Sequence, residues 1–102
     1  MRYRVTSQAR EELREIHFYW AQRASLEVAD RLIDNITERF WLLGEFPEAG
    51  RDSSGTAAGV RCFPAGNYLI YYRARGQAGG RQTDILHIFH GARDQERALR
   101  TS

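Results

Sequence analysis

Three strand-like runs follow one another between Gly59 and Asp94 (GVRCFPAGNYLIYYRARGQAGGRQTDILHIFHGARD), and connections this short make them each other's natural partners. Gly59 to Phe63 reads as extended, with Val60 and Cys62 on one face and Arg61 and Phe63 on the other. Pro64 cannot donate to a ladder, so the first run ends there, and Phe63-Pro64-Ala65-Gly66 suits a turn with Pro second and Gly fourth. Tyr68 to Arg73 is rich in β-formers and reads as the central strand. Thr83 to His90 is the last strand, ended by Gly91, and the three pair antiparallel. The Gly76-Gln-Ala-Gly-Gly80 connection lacks the Lys-Ser/Thr ending of a phosphate-binding loop.

The first half supplies what such a sheet packs against. Met1 to Thr6 alternates, Tyr3 and Val5 opposite Arg2 and Arg4, as a short strand with one buried side does. Ser7 fits a helix N-cap, and Glu11 and Glu12 complement the dipole of a helix from about Gln8 to Arg23. Its apolar stripe is Ala9, Leu13, Ile16 and Trp20, with Phe18 and Tyr19 widening it and His17 facing solvent. Ser25 caps a second helix ending near Glu45, with the stripe Ala29, Leu32, Ile33, Ile36, Phe40 and Leu43. The brief link at Ala24 makes the two an antiparallel hairpin. Pro47 ends the second helix, Gly50 offers a positive φ to the turn that follows, and Asp52 to Ala58 is a loop. Asp94 caps a short C-terminal helix from Gln95 to about Arg100.

The expected architecture is one α+β domain over residues 1–102. An antiparallel sheet, the N-terminal strand plus three C-terminal strands, carries the helical hairpin on one face, with the short C-terminal helix behind. The other face is left partly open. A single cysteine, Cys62, excludes an internal disulfide and suits a reducing cytosol. No signal-like apolar region follows Met1, and no run approaches the length of a membrane span, so the expectation is a cytoplasmic protein away from membranes.

Charge is unevenly spread: residues 1–50 hold seven Arg against nine acids, net −2, and residues 51–102 hold eight Arg against four acids, net +4. All fifteen basic side chains are Arg. Such a half is either a solvated face or one that meets an acidic partner or nucleic acid. His87 and His90 point to opposite faces of a strand and cannot chelate together, and Cys62 alone adds little, so no metal or cofactor is expected. No hydrolase triad assembles, because Ser7 and Ser25 are spoken for as caps and no nucleophile-elbow pattern surrounds Ser53 or Ser54. His90, with Arg61 and Arg93 to hold a phosphate, outlines an RNA-cleaving constellation. Against it, no second proton-transfer group is evident and Asp94 is committed to its cap. Tyr68, Tyr71 and Tyr72, interleaved with Arg73 and Arg75, offer base stacking, although tyrosines on the helix-facing side of a central strand belong to the core.

An ordered set of residues carries a resemblance. It comprises Tyr3-Arg-Val, Ala9 with Leu13 and Ile16, Pro47 with Gly50-Arg51, Gly59-Val-Arg, and Phe63-Pro with Gly66. Tyr68-Leu-Ile-Tyr-Tyr-Arg73 and Ile85 through His90-Gly-Ala-Arg-Asp94 complete it. Together they resemble the ParE branch of the RelE/ParE toxins of bacterial type II toxin–antitoxin systems, over nearly the whole chain. The resemblance implies a compact toxin neutralised by a ParD-like antitoxin whose C-terminal segment wraps around it. It also implies inhibition of DNA gyrase and replication without RNA cleavage. RelE-type relatives instead cut messenger RNA on the ribosome, and Arg61 and Arg93 fall where those enzymes place phosphate-binding arginines. The C-terminal catalytic Tyr and basic-site lysines of such enzymes have no counterpart here. The expectation is therefore a non-enzymatic gyrase inhibitor that does not bind DNA directly. Its target contacts would be Arg61, His90 and Arg93, and its antitoxin contacts Phe18, Tyr71 and Arg73. The alternative is a ribosome-dependent endoribonuclease using Arg61, His90 and Arg93.

Overall fold

The computed structural model describes residues 2–53, 55, 57–76 and 80–91. Strand β1 (Tyr3–Val5) turns Tyr3 and Val5 toward the core, as alternation requires. Helices α1 (Ser7–Arg23) and α2 (Leu26–Glu45) follow, then strands β2 (Arg51–Asp52), β3 (Val60–Ala65), β4 (Tyr68–Arg75) and β5 (Gln82–His90). The sheet order is β1-β5-β4-β3-β2. The expected C-terminal helix and its Asp94 cap lie outside the described residues.

Strands β3, β4 and β5 pair antiparallel as expected. β1 does not: it lies parallel to β5, with Tyr3 opposite Thr83 and Val5 opposite Ile85, so the sheet is mixed. Alternation in a short strand reports which side is buried and carries no information about a neighbour's direction. With two helices and three strands between β1 and β5, no hairpin fixes that direction either. β2, where the end of a turn and the start of a loop were expected, places Arg51 against Cys62 and Asp52 against Arg61.

The turn between β3 and β4 is also later than expected. Ala65 and Tyr68 pair, leaving Gly66 (φ +60°) and Asn67 as a two-residue hairpin loop of the kind with Gly first. Pro64 stays inside β3, opposite Leu69 and past the end of β2, where β3 forms the sheet edge.

Thr6, rather than Ser7, caps α1, and its hydroxyl accepts from Ala9 N at 3.2 Å. The reason lies in the sheet: Thr6 N still donates to Ile85 O, so the chain turns from ladder to helix at that residue. Glu11 and Glu12 fall beyond the first turn, so neither serves the helix dipole. Ser25 caps α2 as expected, accepting from Val28 N at 3.1 Å.

Both helices cover one face of the sheet. Ile36, Phe40 and Leu43 of α2 meet Ile70, Tyr72, Ile85 and Ile88, with Ala9 and Ile16 of α1 completing the core. Burying each large side chain stabilises by roughly 1.5–3 kcal/mol before entropy is subtracted. Polar ends are satisfied too: Trp20 Nε1 donates to the Tyr68 hydroxyl at 2.8 Å, and Thr83 Oγ1 donates to Leu43 O at 3.0 Å.

Fully buried Tyr72 ties the turn after α2 to the sheet. Its hydroxyl accepts from Gly50 N and donates to Pro47 O, both at 2.8 Å. Gly50 is required by this close approach and not by a positive φ, since a Cβ there would lie 2.5 Å from the Tyr72 oxygen. Tyr72→Phe strands both backbone groups, and should lower unfolding free energy by about 1–3 kcal/mol in urea titrations. An unchanged denaturation midpoint would contradict this account of the turn.

Candidate partner-binding surface

Helical spacing explains why Phe18 has no place in the core. The inward stripe of α1 passes through Ala9, Leu13, Ile16 and Trp20, and Phe18 falls outside it, 66% exposed. It stands beside an open groove of about 850 Å³ between the two helices, lined on α1 by Arg10, Leu13, Arg14, His17 and Ala21 and on α2 by Asp30, Ile33 and Asp34. His17 was expected in solvent. It is half-buried instead, with Nε2 2.7 Å from Asp30 Oδ1, and pins the helices together across the groove. On its other side Phe18 borders a second depression, where the Arg23 guanidinium lies 4.5 Å from the Tyr19 ring centre.

The opposite sheet face was expected to be partly open, yet its centre is filled. Val60, Cys62 and Tyr71 are buried there, with Leu69, Leu86 and Phe89 packed against them. Tyr71, at 8% exposure, presents little surface, and its ring leans on Phe89 at 5.6 Å. A register shift opposite Tyr71 and Tyr72 leaves Leu86 without a partner in β4, so Leu86 and His87 both turn to this face. His87 stacks on Phe89 at 4.9 Å, whereas His90 meets Tyr68 edge-on at 5.5 Å on the helix side. The two histidines therefore lie on opposite faces, as strand geometry requires, and no metal-ligating cluster exists among the described residues.

The remaining candidates are separated in space. Arg61 donates to Gly50 O at 2.8 Å and pairs across the ladder with Tyr72, while His90 pairs with Tyr68. Four residues along β4 and two strand spacings across it put roughly 16 Å between the two backbones. Arg93 lies outside the described residues. Arg73 donates from Nε to Ala58 O at 3.1 Å on the face away from Phe18. Thus neither the Arg61–His90 pair nor the Phe18–Tyr71–Arg73 set forms one contiguous site.

Two polar constellations escaped the sequence reading. Glu12 reaches from α1 to β5, where Oε1 accepts from Ile88 N at 2.9 Å and Oε2 lies 3.1 Å from His87 Nδ1. Asp84, nearly buried, is held by Arg4 at 3.2 Å and by Arg75. That Arg4 lies directly opposite Asp84, and Arg75 diagonally so, would have been visible only with the register known.

Comparison with known proteins places this arrangement. A family model described as the ParE toxin of the type II toxin–antitoxin system, parDE, matches residues 3–95. The chain belongs to the ParE toxin family. A curated relative, Toxin ParE1 of Caulobacter vibrioides (strain ATCC 19089 / CIP 103742 / CB 15), is 25% identical over 88 residues, 86% of each chain. A solved chain of the chromosomal ParDE TA system from P. aeruginosa shares the fold, with TM-score 0.74 and 21% identity over 88% of this chain and 95% of its own. No helix among the described residues is long and apolar enough to cross a membrane.

Burial raises the pKa of the Cys62 thiol and of the Tyr71 and Tyr72 phenols above their ordinary values of 9.0, 10.0 and 10.0, making all three weaker acids. The unfolded chain therefore loses these protons first. Their contribution is fully present below about pH 9 and is lost as pH rises through the alkaline range toward the folded-state values. Thermal midpoints should fall steadily above pH 9, and Cys62→Ala should reduce the slope of that decline. Parallel curves for the two proteins would refute the assignment.

Proposed function

We propose that this ParE-family toxin is held inactive by a ParD-like antitoxin and, once free, inhibits DNA gyrase in the cytoplasm as a binding protein rather than an enzyme. Family membership over residues 3–95 carries the reading. The arrangement of the basic residues supports it: Arg61 donates to the Gly50 carbonyl, its backbone roughly 16 Å from that of His90 across β4. An endoribonuclease needs its phosphate-binding and proton-transfer groups within hydrogen-bond reach of one phosphodiester. Recognition of a protein target needs only a shaped surface. On this reading Arg61, His90 and Arg93 are target contacts and the chain alone has no affinity for DNA.

The antitoxin's anchoring contact is Phe18. An exposed aromatic beside an apolar-floored groove is the kind of feature an amphipathic helix covers. Tyr71 and Arg73 join the interface only if the antitoxin continues around to the opposite sheet face.

Two measurements test these statements. Purified protein in molar excess over gyrase should block supercoiling of relaxed plasmid, while transcripts in induced cells keep their length. Normal supercoiling, or transcripts cut at discrete sites, would refute the proposal. Separately, Phe18→Asp should weaken binding to the co-encoded antitoxin by about tenfold or more in calorimetry. Unaltered affinity would remove Phe18 from that interface.

A further inference from the structure

Charge on the α1–α2 groove is segregated by helix. Its lining arginines, Arg10 and Arg14, lie on α1, and its two carboxylates, Asp30 and Asp34, lie on α2. Arg14 also pairs with Glu11 at 3.2 Å on the side of α1 away from the groove lining, but a lining with one sign along each of two antiparallel helices is complementary to itself.

The register shows how. His17 and Asp30 stand level, bonded at 2.7 Å. Four residues further along α2, about 6 Å, Asp34 is level with Leu13 and so lies between Arg10 and Arg14 in height. By the same count Phe18 is level with the stretch between Leu26 and Ile33. Leu26 is 60% exposed and shares a helix face with Asp30 and Ile33 at spacings of four and three.

Two face-to-face twofold arrangements are possible. With the axis across the helices, α1 lies on the partner's α1 and arginines oppose arginines. With the axis along the groove, each α1 lies on the partner's α2. Arg10 and Arg14 then flank Asp34, Phe18 enters between Leu26 and Ile33, and helices in contact run antiparallel. Only the second sets the arginines of the groove lining against its carboxylates, and its contacts are reciprocal, as an isologous interface demands.

We propose that, without antitoxin, two copies of this chain associate through the α1–α2 face, with Arg10, Arg14 and Phe18 of each seated on Leu26, Ile33 and Asp34 of the other. The result is a four-helix layer between two outward-facing sheets. The proposal stands apart from the antitoxin assignment, although both use Phe18: a second copy holds the face only while no antitoxin does.

Light scattering on the purified full chain, over a concentration series at low salt, tests it. The wild type should dimerise, and the dimer should weaken as salt rises. Arg14→Glu sets carboxylates against carboxylates at both symmetric contacts, and Asp34→Arg sets arginines against arginines. Each should raise Kd about tenfold or more, with circular dichroism showing intact folding. An equimolar mixture of the two variants should dimerise again near wild-type strength, because each substituted side chain then meets its opposite. A monomeric wild type, single variants that associate undiminished, or a mixture no stronger than its components would each overturn the proposal. None of these outcomes depends on whether Phe18→Asp weakens the antitoxin.

Discussion

Strand β5 needs hydrogen-bond partners on both edges, and the rest of the molecule is arranged around meeting that need. β4 serves one edge along its length, but β1 matches only Thr83 to Ile85 on the other. The exposed remainder is met by side chains from the start of α1. Thr6 Oγ1 donates to Ile85 O at 2.8 Å and to Leu86 O at 3.3 Å, and Glu12 accepts from Ile88 N at 2.9 Å. Each such bond nets roughly 0.5–1.5 kcal/mol, somewhat more with a charged acceptor, whereas an orphaned amide costs more than it would gain. These bonds fix α1 along β5. The short link at Ala24 and Ser25 then fixes α2, and the groove beside Phe18 is a consequence of where the two helices must lie.

Sequence patterns revealed the helices and the three-strand meander because each rests on local periodicity. The stripe Ala29, Ile36, Phe40 and Leu43 is buried where its spacing puts it, and the Ser25 cap is in place. Features set by register were not legible. Which of Thr6 and Ser7 caps α1 depends on where the β1–β5 ladder ends. The depth of Asp84 depends on Arg4 arriving from the far end of the chain. Gly50 was recognisable as important but for the wrong reason, because the tyrosine that crowds it is 22 residues away. The direction of β1 had no local signal at all.

The charge count of the second half of the chain likewise left a solvated face and an acidic or nucleic-acid partner both open. In the structure several of its arginines are engaged inside the fold. Arg61 and Arg73 donate to backbone carbonyls of nearby turns, and Arg75 joins Arg4 on Asp84. A guanidinium suits this work because its planar fork can bridge a carboxylate or reach a carbonyl while its stem packs on the sheet. Net charge thus overstates the cation surface available to a ligand.

What the sheet has settled, the helices have left open. The large apolar side chains most exposed among the described residues are Phe18, Leu26, Val28, Trp41 and Phe46, all on the helices or at the end of α2. Single exposed apolar residues are ordinary on any monomer. Arrangement separates one group from the rest: Phe18 and Ile33 line one groove whose charges are ordered by helix, and exposed Leu26 lies one turn before Asp30 on α2, whereas Trp41 and Phe46 sit toward the other end of α2. Apolar area supplies affinity and ordered charge restricts which partner can use it. The helix layer combines both, which is why the proposed antitoxin and self-association contacts fall on α1 and α2 while the proposed target contacts stay on the arginine-rich half.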